Sequence, residues 1–293
     1  MLNRTTWSEK AFDVLNALFL VGLMVVTVYP VLYVALASVS DAGRMMGHNG
    51  LLLKPLGFSL GAYKSVFENP MILRGYGNTF FVVIVGLAFN ILLTAFGAYA
   101  LSRKSLRYRK RIMLFIVFTM FFNGGLIPFY FTVKGVGLAN TLWALIIPQA
   151  INTFNLILMK TAFEAIPDSL EESAKIDGAH DFIILFRIIL PLSMPVVAVM
   201  MLYYGVSHWN SWFNAMIFLQ DRSLYPLQLV LREILLQGEV SAMQGGASAG
   251  DIAMLSVTLK YATIIVATVP ILLVYPFLQK YFVKGALIGA IKG

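Results

Sequence analysis

Apolar residues run along this chain in long blocks separated by shorter polar intervals. The blocks lie at about 14–39, 78–101, 112–133, 141–161, 191–219 and 259–282. A helix of about 20 residues, rising 1.5 Å each, matches the hydrocarbon thickness of a bilayer, so each block is long enough to cross one. The pattern predicts an all-α polytopic membrane protein, with six transmembrane helices forming a single domain over residues 1–293. Ala35-Leu36-Ala37 imitates a signal-peptide cleavage site. The apolar run around it is about twice an ordinary signal core, so the first block reads as an uncleaved span. Residues 220–258 form a predicted external loop, and its Gln244-Gly245-Gly246-Ala247-Ser248-Ala249-Gly250 stretch is too small and polar to pack a core.

The one long polar interruption between strongly apolar blocks is residues 164–195, with a loop proper over 164–191. Pro167 precedes Ser169 and Glu172, whose spacing is that of a capping box, and predicts the start of a short helix. Gly178 suits the left-handed residue that ends such a helix. A second helix over about 180–190 carries Phe182, Leu185, Phe186 and Ile189 along one face and runs into Pro191. Two short amphipathic helices at an angle, tied to spans at both ends, make a knob on which a soluble partner docks.

Composition agrees with the pattern. The chain is 59% hydrophobic and 12% charged, with mean hydropathy +0.80, whereas soluble domains have about 25% charged residues. A net charge of +8 would suggest nucleic acid, but the basic residues crowd beside apolar blocks. The densest run, Arg103-Lys104-Ser105-Leu106-Arg107-Tyr108-Arg109-Lys110-Arg111, lies between the second and third blocks. By the positive-inside rule that loop is cytoplasmic, which also puts both termini and the 164–191 loop in the cytoplasm.

The chain has no cysteine and three histidines, which excludes disulfides and thiolate chemistry and leaves no metal site or other cofactor expected in this chain. No Asp or Glu lies well inside a block, and His208 is the one ionisable group that does. An ion-coupled carrier usually has an embedded carboxylate or an unwound helix pair. There is also no G-x-x-x-x-G-K-[ST] phosphate loop. A separate ATPase subunit fits both absences.

Polar groups within the blocks suggest a path for a solute. Asn123 lies in the third block, and Gln149, Asn152 and Asn155, spaced i, i+3, i+6, share one broad helical face in the fourth. His208, Trp209, Asn210, Trp212 and Asn214 cluster in the fifth. Aromatic rings stack on sugar faces and amides bond hydroxyls, although the same residues also serve as interhelical contacts and interfacial anchors. On an unbroken helix Trp209 and Trp212 share a side and Asn210 flanks it. A span beginning at Pro191 would carry motion of the knob directly to this cluster.

The polar loop also carries a resemblance. Glu172-Ser173-Ala174, three residues, Gly178, nine residues and Ile188-Ile189-Leu190-Pro191 resemble the EAA loop of binding-protein-dependent ABC importer permeases (E-A-A, x3, G, x9, I-x-L-P). Every spacing is matched, with Ser173 in place of the first alanine. Asn123-Gly124-Gly125-Leu126-Ile127-Pro128, Gly137-Leu138, Trp143-Ala144-Leu145 and Asn155-Leu156 are similar to the LplC-type branch. Trp209-Asn210-x-Trp212 is similar to the W-N-x-F/W segment of carbohydrate-uptake permeases generally, and the six-span count resembles that of the maltose-type G subunit.

The resemblance implies a type I importer permease of the bacterial cytoplasmic membrane, with no catalytic residue of its own. It implies a second homologous permease, a homodimeric ABC ATPase and an external solute-binding protein as partners, and an oligosaccharide as cargo. For the LplC-type branch the implied cargo is often uronate-rich, such as alginate or pectin fragments. Carried over, Glu171, Glu172, Ser173, Ala174, Asp177, Gly178, Leu190 and Pro191 would couple to the ATPase. Trp209, Asn210, Trp212, Asn214, Asn152 and Asn155 would line the substrate path, and Gly245, Gly246, Ala247, Ser248 and Gly250 would touch the binding protein. A permease for a non-sugar solute and a non-transporting anchor or sensor subunit are the competing readings. The Trp-rich fifth block argues against the first, and the EAA-type loop without an output domain argues against the second.

Overall fold

The computed structural model describes residues 7–243, 257–274 and 276. The Gly245–Gly250 stretch and the end of the sixth block lie outside the described residues. All regular elements among the described residues are helical. Among the described residues three helices are continuous, long and apolar enough to cross a membrane, and counting each of three bent pairs as one span gives up to six. The chain divides into two compact units, residues 1–69 with 233–268 and residues 70–232 with 269–293.

In the first unit, α1 (Trp7–Ser38) exposes its apolar side chains along almost its whole length and buries only Ala37 and Ser38. That is expected of a helix whose solvent is lipid, where an apolar surface costs nothing. After it come α2 (Ala42–Met46), whose N-terminal amide of Arg44 is capped by Asp41, and α3 (Gly61–Glu68). Ala37, Met45 and Leu52 form a small core with Tyr33, Val257 and Tyr261 packed against it.

The second unit is built around α4 (Pro70–Ser102), a helix of 33 residues that begins well before the apolar block does. Its buried face includes Gly75, Thr79, Gly86, Asn90, Thr94 and Ala98, small or polar side chains that let other backbones approach. A Cβ at Gly86 would lie 2.7 Å from Nε2 of His208, so only glycine fits there.

The remaining spans are not the straight helices predicted. The third block splits into α5 (Arg109–Phe121) and α6 (Leu126–Gly135), bent by 116°. The break falls at Asn123-Gly124-Gly125, where Gly125 has φ 87 and Asn123 Oδ1 accepts a bond from its amide at 2.9 Å. The fourth block is two 3₁₀ turns, Leu142–Leu145 and Ile147–Gln149, followed at 50° by α7 (Thr153–Glu164). Pro148 and the capping Asn152 explain why the helix starts afresh.

After α8 (Asp168–Ile176), the second loop helix does not stop at Pro191: α9 runs Asp181–Leu192 and then meets α10 (Met194–Trp209) at 86°. A π-type turn over Leu185–Ile189 widens α9 just ahead of Pro191 and makes room for its ring. The fifth span therefore starts at Met194, beyond a sharp bend. It also ends early, at Trp209, with a separate short helix α11 (Phe213–Phe218) after the break. The predicted external loop holds a 3₁₀ turn, Arg222–Leu224, and a helix, α12 (Leu227–Met243).

Candidate functional site

A cavity of about 670 Å³ opens beside the break in the fourth span. Its lining includes Gln149, Asn152, Asn155, Tyr203, Ser207 and His208. Unwound backbone at membrane depth is tolerated only where its polar groups are paired or face such a cavity, and the pairing here is explicit. The Asn90 amide donates to the carbonyls of Gln149 at 2.7 Å and Ala150 at 2.9 Å. With both donors so committed, Asn90 Oδ1 meets His208 Nε2 at 2.6 Å, which assigns the ring hydrogen to Nε2. The Asn152 backbone N–H donates to the Tyr204 hydroxyl at 3.0 Å, and that hydroxyl is hydrogen-bonded to the Thr94 hydroxyl at 2.8 Å. Asn152 Oδ1 caps α7 by accepting from the Asn155 amide at 3.1 Å.

Gln149, Asn152 and Asn155 thus share a cavity wall, but not through one continuous helical face as the i, i+3, i+6 spacing suggests. The break itself turns them inward. Asn90, Thr94, Tyr203, Tyr204 and Ser207 were not singled out from the sequence. A signal for two of them existed: Gly86, Asn90, Thr94 and Ala98 repeat every four residues through an otherwise apolar block.

The aromatic cluster is placed differently from expectation. Because α10 stops at Trp209, Trp209 and Trp212 do not share a helix, and the argument from their i, i+3 spacing does not hold. Trp209 is buried and packs against Tyr76 and Phe80, with ring centroids 6.4 Å and 5.9 Å away. Asn210 caps the end of α10 and is exposed. Trp212 lies under the Arg232 guanidinium, 3.6 Å from the ring centroid, and Asn214 is half-buried in α11. None of these four lines the cavity.

A second constellation sits at the far end of α4. No capping box forms there: Pro167 is the N-cap, without a side-chain acceptor, and Ser169 already lies inside α8. Asp168 and Glu171 in the first turn face the positive end of the helix dipole instead. Gly178 takes the left-handed conformation, φ 81, and the chain closes on itself through Ala179 N to Ala174 O at 2.9 Å and Gly178 N to Lys175 O at 3.0 Å. This pair of bonds is a Schellman closure. The knob presents Glu172, Ser173, Asp177 and Gly178 to solvent beside two exposed apolar side chains, Leu170 and Ile176, with Ala174 half-buried. Leu190 is half-buried and Pro191 exposed on α9.

Glu171 is turned the other way. It is buried, paired with Arg103 and, at 2.7 Å, with Lys175. Burial alone would raise its pKa, but the hydrogen bond from Lys175 and the charge of Arg103 outweigh that and hold it below the usual glutamate range. Lys104 pairs with Asp168 at 2.6 Å, and Arg109 with Glu164 at 3.0 Å. Half of the basic run that reads as a topology signal is therefore engaged with the acidic side of the knob.

Broken membrane-spanning helices around a cavity with polar groups in its wall are the architecture of a membrane transport protein. Residues 79–287 match the family of the binding-protein-dependent transport system inner membrane component, and the chain belongs to that family. It is 43% identical, over 97% of its length and 99% of the relative's, to the polygalacturonan/rhamnogalacturonan transport system permease protein YtcP of Bacillus subtilis (strain 168). Protein LplC of the same organism is 42% identical, over 98% of this chain and 97% of that one. Among solved structures, a chain of a bacterial ABC transporter involved in the import of the acidic polysaccharide alginate matches with TM-score 0.86 and 32% identity, covering 95% of this chain and 99% of that one. The resemblance carried by the EAA-type loop is thus a family membership, and this is a multi-pass inner-membrane permease of the ABC importer type.

Proposed function

We propose that this chain forms one half of the membrane path of an ATP-driven importer for oligosaccharides released from acidic, uronate-rich polysaccharides. Its partners in this reading are a second homologous permease, a homodimeric ATPase that binds ATP and Mg, and an external solute-binding protein. Both termini and the 164–191 loop face the cytoplasm, and the exposed Glu172, Ser173, Asp177 and Gly178 dock on the ATPase. Residues 220–258, with Gly245 to Gly250, meet the binding protein on the opposite side.

The observation that carries the reading is the cavity at the broken fourth span, lined by amides, hydroxyls and an imidazole. Such groups exchange hydrogen bonds with sugar hydroxyls without placing a charge in the membrane. The likeness to a permease of a polygalacturonan/rhamnogalacturonan transport system and to a transporter involved in alginate import supports the acidic class of sugar. The test is uptake by the complete transporter in vesicles. Labelled oligogalacturonate should accumulate in an ATP-dependent manner, with a neutral maltooligosaccharide competing poorly. Uptake of an amino acid, or equal competition by the neutral sugar, would overturn the assignment.

A further inference from the structure

The docking knob is joined to the spans by two covalent routes and one non-covalent route, and they differ in geometry. Through the backbone, α8 leads back to α7 by way of Pro167, or forward through α9, across the π-type turn and the 86° bend, into α10. A displacement of the knob that takes this route has to turn through the bend, where Ser193 N is bonded to the Ile189 and Leu190 carbonyls at 3.0 Å and 3.1 Å. The third route runs through Arg103, which immediately follows α4.

Arg103 is held on every side. One terminal nitrogen bonds Glu171 of the knob, the other approaches the Phe163 carbonyl of α7 at 3.4 Å, and Nε donates to Ser102 Oγ at 3.0 Å. Its guanidinium lies 4.8 Å from the Tyr99 ring centroid. The Arg103 and Glu171 side chains are 14% and 8% exposed, so solvent neither screens nor replaces the contact. From this clasp α4 continues inward, unbroken, to Thr94 and Asn90, the residues that pair with Tyr204, His208 and the unwound backbone at the cavity. Thirteen residues separate Arg103 from Asn90, about 20 Å of helix.

We infer that Arg103 is a positioning residue for transport: through its grip on Glu171 it makes α4 the rod that links movement of the docked knob to the wall of the cavity. Arg103 does not line the cavity. The inference rests on the cavity being part of the transport path.

The chain has no cysteine, so Ser207→Cys places a single thiol of this chain in the cavity lining. In the complete transporter, labelling of that thiol is compared between the nucleotide-free and the ATP/vanadate-trapped states, alongside ATP hydrolysis. In the parent the two states should label differently. Arg103→Gln and Glu171→Gln should each shrink that difference by about tenfold, the size of a typical coupling between sites, while ATP is still hydrolysed. The double variant should be no worse than either single one, because both break the same contact. Should Arg103→Gln fail to assemble, Arg103→Lys is read in its place, since it keeps the charge and loses the multiple grip; it should lower the difference several-fold. A parental difference retained in these variants, or effects that multiply in the double variant, would overturn the role of Arg103. A parental thiol that ignores nucleotide would overturn the cavity reading beneath it. Failure of sugar uptake with an intact nucleotide response would count against the cargo alone.

Discussion

At the scale of single residues, the polar side chains that matter most are those that stand in for water. Asn90 is fully buried, and its amide satisfies two carbonyls that the break in the fourth span sets free. Asn90→Asp keeps the size but turns the donor into an acceptor facing two acceptors. It should lower the stability of the purified protein by about 2–3 kcal/mol, read as a fall in its melting temperature in detergent. Unchanged melting would mean that the carbonyls find other partners. Trp209→Ala should act in the same way and not through the sugar, because the ring fills a buried site against Tyr76 and Phe80. A loss of about 3–5 kcal/mol is expected, and a variant of normal stability with weakened uptake would return Trp209 to the substrate path. The sequence could not distinguish these roles for Trp209. Its residue type suits both, and only the end of α10 at that position decides between them. Glu171 is a similar case: it sits beside the exposed Glu172, yet one points into the protein and the other out.

Whole elements were legible where local chemistry dominates. Gly178 announces the end of α8 because a left-handed residue favours glycine, and its φ of 81 confirms the reading. A β-branched side chain there meets a steric penalty of about 1–2 kcal/mol, concentrated at the turn that sets the angle between α8 and α9. Gly178→Val should therefore leave the permease in the membrane at normal abundance but reduce co-purification of the ATPase; normal co-purification and uptake would argue against docking through this turn. The breaks inside apolar blocks were less legible. Asn123-Gly124-Gly125 is a turn signal in its own right, yet it sits between long apolar runs. At Asn210-Ser211 only two polar residues interrupt the block. Hydropathy averaged over a span reports the solvent around a helix and not the direction of its axis, so bends of 116° and 86° leave almost no trace in it.

For the molecule as a whole, the alternation of apolar blocks and basic loops was enough to recover a polytopic helical membrane protein, and the EAA-type loop its family, while the cavity was not legible, because it depends on which broken ends meet. The stretch 244–250 is proposed to act at the level of the assembly. Deleting it should lower sugar uptake while the ATPase stays bound, and full uptake would mark it as a passive linker. The clasp at the end of α4 has a consequence for how the protein is made. Arg103, Lys104 and Arg109 precede their acidic partners Glu171, Asp168 and Glu164 by 68, 64 and 55 residues. A ribosome adding about 5–20 residues per second delivers those carboxylates several seconds after the arginines and lysine emerge. During that interval the loop holds its full positive charge, the signal by which the positive-inside rule orients the spans on either side. When the next two spans have been inserted, the acids arrive and neutralise much of it. Half of that positive charge is thus unpaired only in the nascent chain, and the contacts that pair it are the same ones that lock the finished one.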